Sequence, residues 1–293
     1  MFDIAVGMCA YNEENIIEKS IRSIFVQKLN EAFLKEVIVI ASGCTDGTVQ
    51  IVTALSAEFP QLRLIIQNKR EGKNSAINLY LDNTSCDIVV MLNADNVFAT
   101  ETSIEKLILP FSDASVGITG GRPQPVNNSS TKIGYAVNMM WLMHHNLATI
   151  TPKIGEIIAF RNIGLRLETD MQSDEDTLRM KLENAGYVCK YVPDCIVYNR
   201  GPETEEDFIK QRTRVNVGEC TMTKRFGYKI PTWNRRLLFR SFLKSMWQLG
   251  FHPIKTLYTV RLEKKCRKKA IEHVNNNEDS MCIWERVDST KKL

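Results

Sequence analysis

The sequence predicts an α/β protein: a mainly parallel central sheet with helices on both faces, followed by a basic helical segment. Three observations carry this. Short β-branched apolar runs recur through the first two-thirds, spaced by stretches of amphipathic-helix length. Polar or acidic clusters follow these runs, and open α/β sheets place their ligands at strand carboxyl ends. From Pro202 onward the alternation stops and gives way to stretches rich in Arg, Lys and aromatics.

Taken in order, residues 4–8 read as a strand, and 13–27 as an amphipathic helix with Ile16, Ile17, Ile21, Ile24 and Phe25 on its apolar face. A second strand at 36–41 leads through Thr45-Asp46-Gly47-Thr48, where Thr45 or Asp46 serves as cap, into a helix ending near Phe59. Residues 62–67 form a third strand, 73–81 a helix and 87–92 a buried fourth strand. A helix at 103–111, a strand at 115–120, a polar loop at 127–131 and an apolar helix through Met143 follow. The alternation of 154–161 predicts another strand, 174–185 a helix closed by Gly186, and 187–197 a strand running past Pro193.

At 293 residues the chain can bury a substantial core, and 44% hydrophobic with 25% charged residues is ordinary for a soluble globular protein. No apolar stretch approaches the roughly 20 residues that span a bilayer. Met1–Val6 lacks a basic leader and enters a strand at once, so it does not read as a signal peptide. The eight cysteines are dispersed with no C-x-x-C pair, which argues against zinc clusters and a disulfide framework and fits a reducing cytosol. Charge is uneven. Residues 210–269 hold 17 Lys and Arg against Glu219 and Glu263, a net +15, which leaves −11 for the rest of a +4 chain. Such a basic tail on an acidic body suggests a polyanionic partner.

Five clusters carry the candidate chemistry. Ala10-Tyr11-Asn12-Glu13-Glu14 follows the first strand and Ser42-Gly43-Cys44-Thr45-Asp46-Gly47-Thr48 the second. Arg70-Glu71-Gly72-Lys73-Asn74 follows the third, Asn93-Ala94-Asp95 the fourth, and Ser173-Asp174-Glu175-Asp176 opens a later helix. A parallel sheet would bring the first four to one edge. Asp95 on a rigid strand end suits Mg²⁺ or Mn²⁺, with substrate phosphates completing the shell; a turn-forming Asn/Asp pair is the alternative reading. Gly72 allows close backbone approach, and Lys73 at a helix start suits a diphosphate. Three acids in one first helical turn also favour the helix dipole, so part of that cluster is explained without chemistry. The adjacent His144 and His145 point in different directions on a helix, so neither zinc nor a dyad follows from them.

Together these motifs resemble family-2 glycosyltransferases of the GT-A, Rossmann-like fold. The likeness runs from about Ile4 to Gly218: C-A-Y-N-E-E, S-G-x-T-D-G-T, R-E-G-K-N-S-A-I-N, x-A-D, G-E-I-I-A-F-R, an acidic cluster before A-G-Y, and Q-R-T-R-V. The resemblance implies an inverting transfer from a nucleoside-diphosphate sugar, a UDP-sugar foremost, to a hydroxyl of a lipid-linked or surface glycan. It implies nucleotide contacts from Ala10, Tyr11, Asn12, Glu13, Ser42 and Asp46, with Asp46 equally readable as a helix cap. Gly72, Lys73, Gln211 and Arg214 would meet the diphosphate, and Asn93, Ala94 and Asp95 the metal, with Asp95 as ligand. Asn93 stands where relatives carry Asp. The base would be Glu175, with Asp174 and Asp176 as rivals. Val215 replaces the tryptophan of the processive Q-x-x-R-W motif, which argues against processive synthesis. The implied organisation is a catalytic domain over 1–203, with a nucleotide-sugar half to about 97 and an acceptor half over 98–203. A basic amphipathic segment over 204–273 and an arm over 274–293, anchored by Trp284, would follow. The chain is expected in the cytoplasm, with residues 210–269 contacting an anionic membrane surface and no nucleic acid. A sugar-nucleotide pyrophosphorylase would start with a Gly-rich basic loop where this chain has C-A-Y-N-E-E. A non-catalytic basic protein binding membrane or nucleic acid would leave the acidic strand ends unexplained.

Overall fold

The computed structural model describes residues 1–276, 283, 286–291 and 293; the predicted anchor Trp284 lies outside the described residues. Eight strands form one sheet in the order β3-β2-β1-β4-β7-β6-β8-β5. They are β1 (Phe2–Ala10), β2 (Ala32–Ser42), β3 (Leu62–Gln67), β4 (Ile88–Leu92), β5 (Val97–Phe98), β6 (Val116–Pro125), β7 (Ile157–Arg161) and β8 (Val188–Asn199). Helices α1 (Ile17–Phe25), α2 (Thr48–Glu58), α3 (Lys73–Asp82), α4 (Ser103–Ile108), α5 (Lys132–Ala148) and α6 (Asp174–Asn184) pack around it. Beyond the sheet lie α7 (Glu205–Phe226), α8 (Arg235–Gln248) and α9 (Pro253–Asn275).

The strand alternation divides the core in two. Ile4, Val6 and Met8 of β1, with Val37, Val39, Ile88 and Val90 of its neighbours, face Ile17, Ile21 and Ile24 of α1 and the apolar sides of α2 and α4. The intervening Ala5, Ile38, Ile40, Val89 and Met91 face Ala76, Ile77 and Tyr80 of α3 and Leu178 and Leu182 of α6. Each fully buried Ile or Leu is worth about 1.5–3 kcal/mol against an exposed position. Gly7 has a packing reason: a Cβ there would lie 2.6 Å from the Tyr80 ring.

The first four strands pair in parallel, and β1 sits where the chain direction across the sheet reverses, the switch point that opens a cleft beyond the strand ends. The second half is mixed. β7 runs antiparallel between β4 and β6, β5 antiparallel to β8, and β6 and β8 pair in parallel. Pro193 is accommodated because the β6–β8 register jumps from Gly120↔Tyr191 to Arg122↔Ile196, which leaves it in a bulge that donates nothing to the ladder. The helix predicted from residue 13 begins at Ile17, since Asn12 is left-handed (φ 55) and Glu13–Ile16 form a turn closed on the Glu13 carbonyl. The C-terminal helices pack onto α5: Phe208, Leu262 and Cys266 meet Ala136 and Val137, and Arg212 ties α7 to α9 through Glu263 at 2.9 Å.

Candidate active site

The loops after β1 and β2 are bound to one another. Asn12 Oδ1 accepts from the Thr45 amide (2.8 Å), and its Nδ2 donates to Thr45 Oγ1 (3.1 Å). The Glu13 amide donates to Thr48 Oγ1 (2.8 Å). Asp46 accepts from the Thr48 and Glu14 amides at 3.0 and 3.2 Å, so it joins the two loops just ahead of α2; the N-cap of α2 is Gly47, without a side-chain capping bond, rather than the expected Thr45 or Asp46. Ser42 Oγ donates to Gln67 Oε1 at 2.6 Å. Arg70 Cζ lies over the Tyr11 ring, 3.8 Å from its centroid, and both residues line the cleft. Gly72 precedes α3 with φ 93, a conformation only glycine adopts without strain, and this aims Lys73 into the cleft.

β4 ends in the Asn93-Ala94-Asp95 turn. Lys73 Nζ donates to Asn93 Oδ1 (2.9 Å) and pairs with Asp174 (2.5 Å) and Glu175 (3.6 Å) of α6. Asn93 Nδ2 in turn donates to Glu156 Oε2 at 2.8 Å, and Asn96 donates to the same oxygen at 3.0 Å. Glu156 is a left-handed non-glycine residue (φ 66) at the entry to β7, a strained conformation of the kind found at functional sites. Burial, then the Asp95 charge, raises its pKa. Asp95 and Glu13 share one cation of the chain itself: Lys291 Nζ lies 2.8 Å from Asp95 Oδ2 and 2.6 Å from Glu13 Oε1. Burial pushes Glu13 up to about 7 against the pull of Lys291. At Asp95 burial also opposes ionisation, but Lys291 outweighs it and the pKa is lowered.

Within the acidic turn of α6 the three carboxylates are not equivalent. Asp176 pairs with Lys153 at 2.7 Å, and Lys153 also lies 3.6 Å from Glu219, which Thr232 and Trp233 hold by hydrogen bonds. Asp174 is pushed up to about 7 by burial and by the neighbouring Glu175 charge, against the pull of Lys73. Glu175 feels the same burial, but Lys73 and a hydrogen bond from Asp174 hold it down at about 2. Its side chain is 24% exposed, against 9% for Asp174 and 7% for Asp176.

These groups line two adjoining cavities. The smaller, about 190 Å³, brings together Ala10, Tyr11, Glu13, Ser42, Gly72 and Lys73 with Asn93, Ala94 and Asp95; Gln211 and Arg214 of α7 close it. Arg286, Val287, Thr290 and Lys291 reach its wall as well. The larger, about 690 Å³, is lined by Asp174, Glu175 and Asp176 and by an apolar surface from Trp141, Met143, Leu238 and Phe242. Lys73, Asn93, Glu156, Gln211 and Arg214 border both. Asn12 and Asp46, expected at the nucleotide, hydrogen-bond within and between the loops and do not line the smaller cavity. Sequence reasoning missed Glu156 and Lys291 as site residues, and named Arg70 in a cluster without giving it a role. Glu156 stood in a noted strand, but only its left-handed backbone marks it, and nothing local ties Lys291 to a loop 196 residues away. His144 lines the larger cavity as a buried imidazole that burial, then Lys153, pulls down to about 3; His145 Nδ1 instead meets Tyr191 OH at 2.9 Å.

Residues 5–173 match the family described as Glycosyl transferase family 2. The chain is 25% identical over 262 residues to poly-β-1,6-N-acetyl-D-glucosamine synthase of Staphylococcus aureus, across 82% of this chain and 61% of that protein. It therefore spans about three-fifths of the length of that relative. Among solved structures, the mannosyltransferase PcManGT of Pyrobaculum calidifontis, in complex with GDP-Man and Mn²⁺, superposes with a TM-score of 0.66 at 20% identity, over 94% of this chain and 88% of that one. Residues 1–349 of S. aureus TarS in complex with UDP superpose with a TM-score of 0.53 at 14% identity, over 94% and 92%. At these identities the likeness is one of fold.

Proposed function

The chain belongs to glycosyl transferase family 2, and from that premise we propose that it moves a sugar, with inversion, from a nucleoside diphosphate to a hydroxyl of a lipid-linked or surface glycan. The donor would occupy the smaller cavity and the acceptor the larger. One observation carries the reading: Lys73 contacts Asn93 beside Asp95 at 2.9 Å and Asp174 at 2.5 Å, so diphosphate site and acidic turn share one wall. The named relative makes a polysaccharide and the superposable structures hold GDP-Man and UDP, which supports a nucleotide-sugar donor and a glycan acceptor; a UDP-sugar is the donor proposed here. No helix among the described residues is long and apolar enough to cross a membrane. We place the reaction at the cytoplasmic face of a membrane, in keeping with the basic helices.

The residues present fit a divalent ion, Mg²⁺ or Mn²⁺. A cation of the chain already rests between Asp95 and Glu13, and no cluster of three His, Cys, Asp or Glu ligands forms among the described residues. A single strand-end carboxylate completed by phosphates and water is a ligand set such ions accept. Asp95 would hold the ion, which when bound supplies Lewis-acid stabilisation of the departing diphosphate. Lys73 and Arg214 would add positive charge to the same phosphates. Glu175 would take the proton of the acceptor hydroxyl as that oxygen bonds to the anomeric carbon and the bond from that carbon to the phosphate oxygen breaks. Asp174 and Asp176 lie 2.5 and 2.7 Å from Lys73 and Lys153, whereas Glu175, 3.6 Å from Lys73, is the most exposed of the three at 24%, which supports it as the carboxylate that meets the acceptor.

The test is calorimetric titration of UDP, GDP, CDP and dTDP, with and without Mn²⁺, into wild type and Asp95→Ala. Micromolar binding of one diphosphate that needs both the metal and Asp95 is expected. Absence of binding by all four under both conditions would sink the donor-site reading.

A further inference from the structure

The helix α8 is amphipathic the wrong way round for a helix that ends at the protein surface. Its buried face carries Ser241 (2% exposed) and Ser245 (0%), and Ser245 Oγ accepts from Asn146 of α5 at 2.9 Å. Its outer face carries Phe239, Leu243 and Trp247, one turn apart, exposed by 61%, 42% and 84%. Beside that row runs a second, Arg236, Arg240 and Lys244, also exposed and without an ion pair among the described residues. Next along the chain, Phe251 and, in α9, Ile254 and Leu257 are also more than half exposed. Between Glu219 and Glu263 the sequence has nine Lys and Arg and no acid. Leaving six large apolar side chains in water forfeits roughly 1.5–3 kcal/mol each relative to burial, and an exposed patch of this kind marks a surface that is covered in use.

We propose that this face of α8 and the start of α9 docks on an anionic lipid leaflet. Charge selects that occupant. A second copy packing through the same patch by two-fold symmetry would set one basic row near the other. Anionic headgroups instead complement the Arg/Lys row, at about 1 kcal/mol per cation near the surface, while Trp, Phe and Leu enter the acyl boundary. The geometry ties docking to the chemistry. Leu238, Phe239 and Phe242 of the same helix line the larger cavity, so docking would open that cavity beside the headgroups, where a lipid-borne acceptor presents its hydroxyl. That last step rests on the transferase reading given above; the docking itself does not.

Co-sedimentation of the full chain with vesicles decides it. Phosphatidylcholine vesicles are compared with phosphatidylcholine–phosphatidylglycerol vesicles at low and high salt, for wild type, Trp247→Glu/Phe251→Glu and Arg236→Ser/Arg240→Ser/Lys244→Ser. Wild type should pellet with the anionic vesicles and lose binding with salt, and each variant should lose partition about tenfold or more. Wild type remaining in the supernatant overturns the proposal, as does a double Glu variant that pellets like wild type. Dimerisation of wild type in solution that the Glu substitutions abolish, without vesicle binding, would assign the face to a second copy and also overturn it. Mn²⁺-dependent diphosphate binding should be unchanged in both variants. Were diphosphate binding absent from wild type while vesicle binding held, the donor-site reading would fail and the docking surface would stand.

Discussion

Lys291 Nζ lies 2.8 Å from Asp95 Oδ2 and, on its other side, 2.6 Å from Glu13 Oε1. The chain thus supplies a monovalent cation at the carboxylate proposed above to hold a divalent one, so the two cations would compete for Asp95. Lys291→Ala removes the competitor, and Mn²⁺ affinity measured by electron paramagnetic resonance should rise about three- to tenfold, since opposite charges a few ångströms apart at a partly buried site are worth kilocalories. Unchanged or weaker Mn²⁺ binding would show that the ammonium does not compete.

Asn93 explains its own identity. Its amide accepts from Lys73 and donates to Glu156, which an ionised Asp, an acceptor only, could not do. Asn93→Asp would leave a second carboxylate 2.8 Å from Glu156 and remove a donor, a loss of about 1–3 kcal/mol. Glu156 already has a raised pKa from burial, and a new negative neighbour raises it further. A group with a raised folded-state pKa favours the fold below its unfolded value, and that contribution is lost as pH rises through the folded value. The variant's deficit in urea melts should therefore be small in acid and widen as pH rises. A deficit independent of pH would refute the assignment of Glu156 as its cause.

Asp174 gives the wild type a slope of its own. Burial lifts its pKa from 3.8 to about 7, so its contribution to stability is full below the ordinary value and is lost as pH rises through about 7. Glu13, lifted from 4.5 to about 7 by burial, adds to the same slope. Glu175, held at about 2, works in the opposite sense and only in strong acid. Asp174→Asn should flatten part of the decline in melting temperature between mildly acidic and neutral pH, and leave the part due to Glu13. A variant with the wild-type slope would place the shared proton elsewhere.

Much of this was legible in the sequence because it is local. β-branched runs of five or six residues, spaced by helix-length segments, fixed the first four strands, and the clusters at their ends converge because parallel strands share one carboxyl edge. Legibility failed where partners lie far apart in sequence. No periodicity says that 157–161 inserts antiparallel between β4 and β6, since its alternation suits either direction. The motif that places Asn12 and Asp46 near a nucleotide does not show that Asn12 bonds Thr45 and that Asp46 bonds Thr48 and Glu14, which ties the two loops together. Only the family resemblance sets Glu175 ahead of Asp174 and Asp176 in the sequence. Lys73 and Lys153, brought in from 101 and 23 residues away, separate them.

That separation yields different phenotypes within one helical turn. Glu175→Gln keeps the shape and removes the only one of the three carboxylates with substantial exposure. It should lower kcat by about 10²–10⁴-fold, the range of a lost general base, with donor binding and folding close to wild type. Asp176→Asn instead strips a buried ammonium of its partner at 2.7 Å, a change that costs about 3–5 kcal/mol when no other partner remains. Glu219 stays 3.6 Å from Lys153, so the loss should fall at or below the lower end of that range and appear in the melting temperature before it appears in kcat. The two substitutions, compared by urea melts and by single-turnover sugar transfer, should dissociate cleanly. If Asp176→Asn abolished turnover in a protein as stable as wild type while Glu175→Gln remained active, the base would be Asp176 and the role given to Lys153 would be wrong.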